Sequence, residues 1–452
     1  MSEDASNARQ AVGLPMPSSV PPTSRRYWKC LAGVAVLKAL LLFVALPLFT
    51  SAAPGSYNVE GFPDRYDDIA TNLLEGHGYR LNTDTSETML RTPGFVLILA
   101  GIFALVGKSL VAVQVFNLAI SLVGGWALYR LALRVTQSEN IAIGACVIFL
   151  LYPATVLSES RAGVESTFTA AGIVFVLLFY RALQSFAYRD FVLAGVAFGL
   201  ALLIKSTFAL VLPGFFIYVI LSRRPHPAFG RVVALFAAGS LAALVVLSPW
   251  IVRNYKISGE FIPTNSMGGL VAFQGLWVEK HRSEGKPHWQ VLNEAIPEQT
   301  RVAQELGLRV RPGFFPQFYA VKDEIRYNDE LSRRVRAELL RSPALALRFI
   351  GHNFIGFWIQ GRTPTATMLN AVLVLPFLLV ALAGLMLSIR RGFHIVPITI
   401  VILMFFSPHL AILGVARYHT PLVPYLAIFA AVALVALARQ VLPASSRWAP
   451  AT

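Results

Sequence analysis

The chain has 452 residues, 56% of them hydrophobic and only 14% charged, with a formal net charge of +15. A soluble chain of this size carries about a quarter charged residues, so the composition excludes an ordinary soluble globular domain. The positive charge comes with no aromatic-interleaved basic domain and no DNA-binding motif, which excludes a nucleic-acid partner; the basic residues cluster at helix ends, where they orient a chain in a bilayer and face membrane lipids and other anionic phosphates.

Residues 1–26 are rich in Ser, Pro and Ala and read as a disordered cytoplasmic tail. Arg25, Arg26 and Lys29 then precede the apolar run Leu31–Ala52, which is too long for a signal-peptide core and lacks a cleavage site. It is therefore a retained span with its N-terminus in the cytoplasm. Further runs at Leu110–Leu133, Ile141–Leu157, Ser166–Leu183, Phe191–Ile204, Phe208–Leu221, Val232–Trp250, Thr367–Leu387, Ile395–Leu413 and Pro421–Leu437 bring the expected total to about ten. Connections holding Arg130/Arg134, Arg181/Arg189, Arg223/Arg224/Arg231 and Arg390/Arg391 then all fall inside, as does a second cytoplasmic tail, residues 442–452. This agreement requires Pro93–Val106 to be a surface or re-entrant helix, since it is short and starts at Thr92-Pro93-Gly94. The expected architecture is an all-α polytopic membrane protein with about ten transmembrane helices and extracytoplasmic juxtamembrane helices. It forms one domain, residues 27–441, with outer loops 54–109 and 253–366. Within the second loop, Asp329–Trp358 alternates arginines with apolar residues at helical spacing and is expected to lie along the membrane surface. Cys30 and Cys146 both lie at or within apolar runs, which speaks against a structural disulfide or a cysteine metal site.

The first outer loop contains FPDRYDDIATNLLEGHGY, with Asp64, Asp67 and Asp68 inside five positions. Tyr66, Ile69, Ala70, Leu73 and Leu74 follow i, i+3, i+4, i+7, i+8, so Asp64–Glu75 reads as an amphipathic helix ended by Gly76 and Gly78. Two readings of the acids stand side by side. Pro63-Asp64 with Asp67 three residues later fits an N-cap with an acidic first turn. Alternatively, one of the three is a reactive carboxylate. Four cations share the outer face: Arg91 before Thr92-Pro93-Gly94, Lys205 between two spans, Arg253 after Ser248-Pro249-Trp250, and Arg417 before the last span. Each alone is read as a snorkelling helix-end residue, whereas four beside three carboxylates mark a functional cavity. Lys38, at about one-third depth in the first span, is expected to snorkel to the cytoplasm.

Five motifs in order resemble the dolichyl-phosphate-mannose protein mannosyltransferase-like glycosyltransferases, C-type-fold enzymes that include bacterial lipid A aminoarabinose transferases. They are Tyr66–Tyr79 with Arg91-Thr92-Pro93-Gly94; Tyr152-Pro153 with Glu165; Lys205-Ser206-Thr207; Ser248-Pro249-Trp250-Ile251-Val252-Arg253-Asn254-Tyr255 with Gly259; and Arg417-Tyr418-His419-Thr420-Pro421 with Pro424. The resemblance covers most of Leu31–Leu437. It implies an inverting transfer of a sugar from a polyprenyl-phosphate donor to a lipid, glycan or protein acceptor on the outer face of the cytoplasmic membrane. It also implies an aspartate of the first loop as base. The chemistry agrees: a polyprenyl phosphate leaves as a weakly basic anion, so one carboxylate takes the acceptor proton while cations stabilise the phosphate. A single base suits this single displacement, where a glycoside hydrolase uses a carboxylate pair.

The family usually places its aspartate four residues before the tyrosine matched by Tyr66, which here is Phe62; Asp64 stands two residues before it. Asp64 is taken as base, with Asp67 and Asp68 as alternatives, and Arg91, Lys205 and Arg417 as ligands of the donor phosphate. Glu165, Tyr66, Tyr79, Arg253, Asn254, Tyr418 and His419 are taken as acceptor-binding or positioning residues, although Glu165 also reads as a helix-start acid. No cofactor is specified by the sequence; some relatives use a divalent cation, and nothing in the chain decides that point. Two rival readings are a flippase or transporter of a lipid-linked substrate and a non-catalytic lipid-binding accessory protein. A transporter is expected to show inverted repeats and midplane charges, and the sequence shows no repeat and almost no such charge.

Overall fold

The structure is a computed structural model that describes residues 22–48, 64–221, 228–282 and 285–441. Residues 1–21 of the expected N-terminal tail, the tail 442–452, the start of the first outer loop with Phe62, and the Arg223/Arg224 connection lie outside the described residues, whereas Arg25 and Arg26, expected in the disordered tail, already belong to the first helix. The regular structure is helical except for a two-stranded antiparallel hairpin, β1 (Val310–Arg311) and β2 (Gln317–Phe318).

In chain order the helices up to the second outer loop are α1 (Arg25–Leu40, continued through a π-turn at Leu41–Ala45), α2 (Tyr66–Leu74), α3 (Pro93–Val106), α4 (Leu110–Thr136), α5 (Glu139–Leu151), α6 (Pro153–Glu159), α7 (Glu165–Ser185), α8 (Tyr188–Ile204), α9 (Val211–Leu221) and α10 (Phe229–Ser258). The outer loop supplies α11 (Gly268–Lys280), α12 (His288–Glu305), α13 (Val321–Arg341) and α14 (Pro343–Ile359), and α15 (Pro364–Arg390), α16 (Val396–Phe406) and α17 (Val423–Val441) complete the chain. The protein is thus a multi-pass helical membrane protein. Among the described residues six helices are long and apolar enough to cross a bilayer alone, and seven if α5 and α6, bent by 53° at Tyr152-Pro153, form one span. The remaining expected spans coincide with shorter helices: α8, of 17 residues, α9 with its preceding turn, and α16. Pro93–Val106 is a 14-residue helix with Pro at its first turn, with the bounds read from sequence.

In lipid there is no hydrophobic drive between helices, so close approach through small residues decides the packing. Helix α8 lies along α10, where a Cβ on Gly195 would overlap the carbonyl of Gly239; α15 meets α17 in the same way at Gly384 and Phe429. A third such contact positions the site. A Cβ on Gly94 would stand 2.8 Å from the Leu203 carbonyl oxygen, and Thr92 Oγ1 donates to the Ile204 carbonyl at 2.8 Å. The start of α3 is thereby clamped to the end of α8, which brings Arg91 and Lys205 to one place. Gly94→Ala is expected to push the two helices apart, costing about 1–3 kcal/mol as overpacking does. A lowered melting temperature in detergent checks this.

Two further expectations need correction. Helix α2 begins at Tyr66, not Asp64, and Arg65 precedes it in the left-handed region at φ 58°, with no side-chain cap. Asp64 therefore does not cap the helix. Lys38 does not snorkel: its Nζ lies 2.6 Å from Glu159 Oε1, and both side chains are fully buried among apolar helices. The spans thus hold a buried charge pair that the sequence reading did not foresee. The segment Asp329–Trp358 falls on two helices, α13 and α14, which meet at Ser342-Pro343; α13 buries Glu324, Tyr327, Leu331 and Val335 along one stripe, the face an amphipathic helix turns inward.

Candidate active site

The left-handed residue Arg65 sets the geometry. A non-glycine residue in that region costs on the order of 1–3 kcal/mol and persists only when its surroundings hold it. Here Arg65 Nε donates to Asp68 Oδ2 at 2.6 Å, and Nη2 donates to the Leu81 carbonyl and to Asn82 Oδ1, both at 3.2 Å. The resulting kink turns Asp64 away from the helix that follows it.

The three acids part company at this turn. Asp64 meets Arg417, whose Nη1 donates to Oδ2 at 3.0 Å and to Oδ1 at 3.3 Å while Nη2 donates to Oδ1 at 3.3 Å. Arg91 Nη2 donates to the Asp64 carbonyl at 3.0 Å and stands 3.6 Å from Oδ1. Asp67 instead pairs with Lys108 at 2.6 Å, and Asp68 pairs with Arg65. Burial raises the affinity of Asp64 for a proton, but Arg417, Arg91 and Lys205 outweigh it and hold the carboxyl below its ordinary range. For Asp67 burial wins over Lys108, and its carboxyl is pushed up. Of these two, Asp64 is the acid whose surroundings keep it ionised.

The cations are not equivalent. The Arg91 side chain is only 9% exposed, its guanidinium lying over the rings of Tyr66 at 4.8 Å and Phe315 at 4.4 Å. Its Nε has no hydrogen-bond partner among the described residues and can still donate. The Arg417 side chain is 44% exposed while it grips Asp64. Lys205 stands over the Tyr418 ring at 4.9 Å and the Phe168 ring at 5.8 Å, attractions that leave the ammonium free to meet an anion. The Tyr66 hydroxyl is pushed up to about 12, mainly by burial; Asp64 and Glu165 add to this, and Arg91 and Arg417 oppose it. Asp64, Arg91, Arg417, Glu165 and Tyr66 therefore share one electrostatic neighbourhood.

Other expected site residues sit one layer back. Tyr79 donates to the Arg91 and Thr92 carbonyls at 3.1 and 3.2 Å, fixing the backbone of Arg91. Arg253 Nη1 donates to the Thr88 carbonyl at 2.8 Å, and Asn254 Nδ2 donates to the Ile262 carbonyl at 2.8 Å. Both thus face loop backbone and not the Asp64 carboxylate. His419 is buried, 3.5 Å from the Tyr152 hydroxyl and stacked on Trp358. Two contributors were missed. Phe315 covers Arg91, and buried Glu324 accepts from Thr88 Oγ1 at 2.6 Å, from the Met89 N–H at 2.9 Å and from Ser266, tying the Arg91 segment to α13. The signal for Glu324 was its place on the inward stripe of α13, where an acid must find partners. No group of three or more His, Cys, Asp or Glu able to hold a metal ion occurs among the described residues.

Residues 90–252 match the family model described as dolichyl-phosphate-mannose-protein mannosyltransferase. No curated protein sequence matches the chain. Among solved structures, the oligosaccharyltransferase of Archaeoglobus fulgidus in its apo form aligns at 14% identity and a TM-score of 0.55, over 92% of this chain. This chain spans about half of that enzyme's length, 51%. ArnT from Cupriavidus metallidurans aligns at 15% identity and a TM-score of 0.42 when bound to undecaprenyl phosphate, over 93% of this chain and 80% of that one. Its apo state gives 17% and 0.36, over 90% and 80%. The likeness to the archaeal enzyme is one of fold.

Proposed function

We propose that this chain, which belongs with the dolichyl-phosphate-mannose protein mannosyltransferase-like glycosyltransferases of C-type fold, is an inverting glycosyltransferase that takes a sugar from a polyprenyl phosphate and passes it to a lipid or glycan acceptor. It acts on the outer face of the cytoplasmic membrane, with both termini inside. The convergence of Arg91, Arg417 and Lys205 on Asp64, while Asp67 and Asp68 are tied to other cations, carries this reading.

In the reaction the acceptor oxygen attacks the anomeric carbon as the bond from that carbon to the phosphate oxygen breaks. The bonding pair goes to the phosphate, and the acceptor proton goes to Asp64. The donor phosphodiester carries one negative charge and the departing polyprenyl phosphate carries two, so cations at that oxygen favour the transition state over the bound donor. Arg91 and Lys205 are held ready by the clamp between α3 and α8. Arg417 has two tasks: in the empty site it neutralises Asp64, and when the donor arrives its fork turns to the phosphate, which raises the basicity of the carboxylate it leaves. Glu165 and Tyr66 then orient the acceptor. Among its described residues the second outer loop forms no separate recognition domain, which favours a lipid or glycan acceptor over a protein.

Mass spectrometry of lipids that copurify with the protein tests the donor class. A polyprenyl phosphate or its sugar ester is expected, and the mass difference gives the sugar. Only ordinary phospholipids, in protein purified with or without added polyprenyl phosphate, would sink the reading.

A further inference from the structure

The fully buried pair Lys38–Glu159 has no part in the chemistry above, and burying two charges among apolar helices is expensive. A well-packed apolar pair would stabilise the bundle at least as well. What the ion pair adds is a fixed position, and it fixes one particular segment. Lys38 on α1 donates to Glu159 Oε1 at 2.6 Å and to Ser121 Oγ of α4 at 2.8 Å. One and two turns earlier on α4, Asn117 Nδ2 donates to the carbonyls of Glu159 and Arg161, at 3.3 and 2.9 Å, and Gln114 Nε2 donates to the Ser160 carbonyl at 2.9 Å. Gln114, Asn117 and Ser121 lie along one face of α4 at helical spacing, so this polar seam holds Glu159 to Arg161. Four residues beyond Arg161, Glu165 opens α7. A Cβ on Gly163 would stand 2.7 Å from Glu165 Oε2, so the carboxylate folds back over the very turn that the seam holds.

We infer that the Lys38–Glu159 ion pair, with the seam of α4, positions the Glu165 carboxylate at the start of α7, and so tunes transfer without touching either substrate. The inference rests on the proposed function above. Lys38 and Glu159 are positioning residues and act through Glu165, which gives them a signature that a general structural role lacks.

The test substitutes the pair to neutrality, Lys38→Met with Glu159→Gln, so that no lone charge is left buried. Undecaprenyl phosphate serves as the binding probe, and turnover is followed by mass spectrometry on the polyprenyl-phosphate sugar ester of the source membrane. The neutral pair is expected to melt near the wild type and to bind the probe within about twofold, the limit of additivity for separate sites. Turnover should fall roughly ten- to hundredfold, as displacement of an orienting group by about an ångström does. In a Glu165→Gln background the same double substitution should change turnover by less than about twofold. Wild-type turnover in the neutral pair, or the same fold-loss with and without Glu165, overturns the inference. If the neutral pair does not fold, Lys38→Arg carries the same comparison, since it keeps the charge and lengthens the reach. Wild-type protein that neither binds the probe nor turns over refutes the proposed function itself, a different outcome from either of these.

Discussion

Asp64→Asn is expected to abolish sugar transfer, with a loss of at least about 10²–10⁴-fold, the contribution of a positioned general base. The amide matches the carboxylate in shape but cannot take the acceptor proton. The substitution also removes the anion that Arg417 and Arg91 now hold, so both arginines are freed for the donor phosphate. Donor binding should therefore be kept or strengthened while turnover is lost, a combination that misfolding cannot produce. Asp67→Asn and Asp68→Asn are the controls. Asp67 faces Lys108 and Asp68 faces Arg65, so each should lose far less. Steady-state turnover of the three variants, with undecaprenyl phosphate binding measured on each, checks this. Transfer that survives Asp64→Asn and vanishes with Asp67→Asn would move the base to Asp67.

Arg417→Met is expected to have the second largest effect, a loss of about 10²–10³-fold in turnover, the range for removing a donor that stabilises developing negative charge. Arg417→Lys should recover little, because a point ammonium cannot reproduce the forked contact made with both Asp64 oxygens. The pH profile carries a second mark. Arg417 heads the charges that pull the Asp64 carboxyl down against its burial. In the wild type Asp64 stays ionised as pH falls below the ordinary aspartate value of about 3.9, so it contributes no acid limb in the neutral range. Without Arg417 burial is less opposed, the carboxyl titrates at higher pH, and the acid limb of residual kcat/KM should move upward. A limb that stays in place would remove Arg417 from the neighbourhood of the base.

The helical membrane fold was legible because long apolar runs of the right length have few other uses. The span count was less so, since α9 and α16 are shorter than a bilayer-crossing helix needs to be and α8, of 17 residues, stands at the lower limit. Pro93 was legible as a helix start, but the close approach of Gly94 to the Leu203 carbonyl, which clamps α3 to α8, was not. What the sequence left open was direction. Helical periodicity favoured Asp64 as a cap, and only the left-handed Arg65 turns that carboxylate towards Arg417, a partner 353 residues away. Arg253 donates to the Thr88 carbonyl and faces Glu87, and Asn254 donates to the Ile262 carbonyl, contacts with distant loops that no local pattern shows. Glu324 and Phe315 lie more than 220 positions from Arg91 in sequence, so no local pattern ties them to it. Lys38 was misread for a related reason: a lysine in a span snorkels unless another span brings it an acid, and Glu159 is 121 residues away.

Native mass spectrometry of the Asp64→Asn protein beside the wild type tests the role of Asp64 most directly. With the base removed and the cations retained, the variant should be isolated with the intact polyprenyl-phosphate sugar ester bound, while the wild type carries the free polyprenyl phosphate. The same bound lipid in both proteins, or no polyprenyl phosphate in either, would contradict the assignment of Asp64 as the group that takes the acceptor proton.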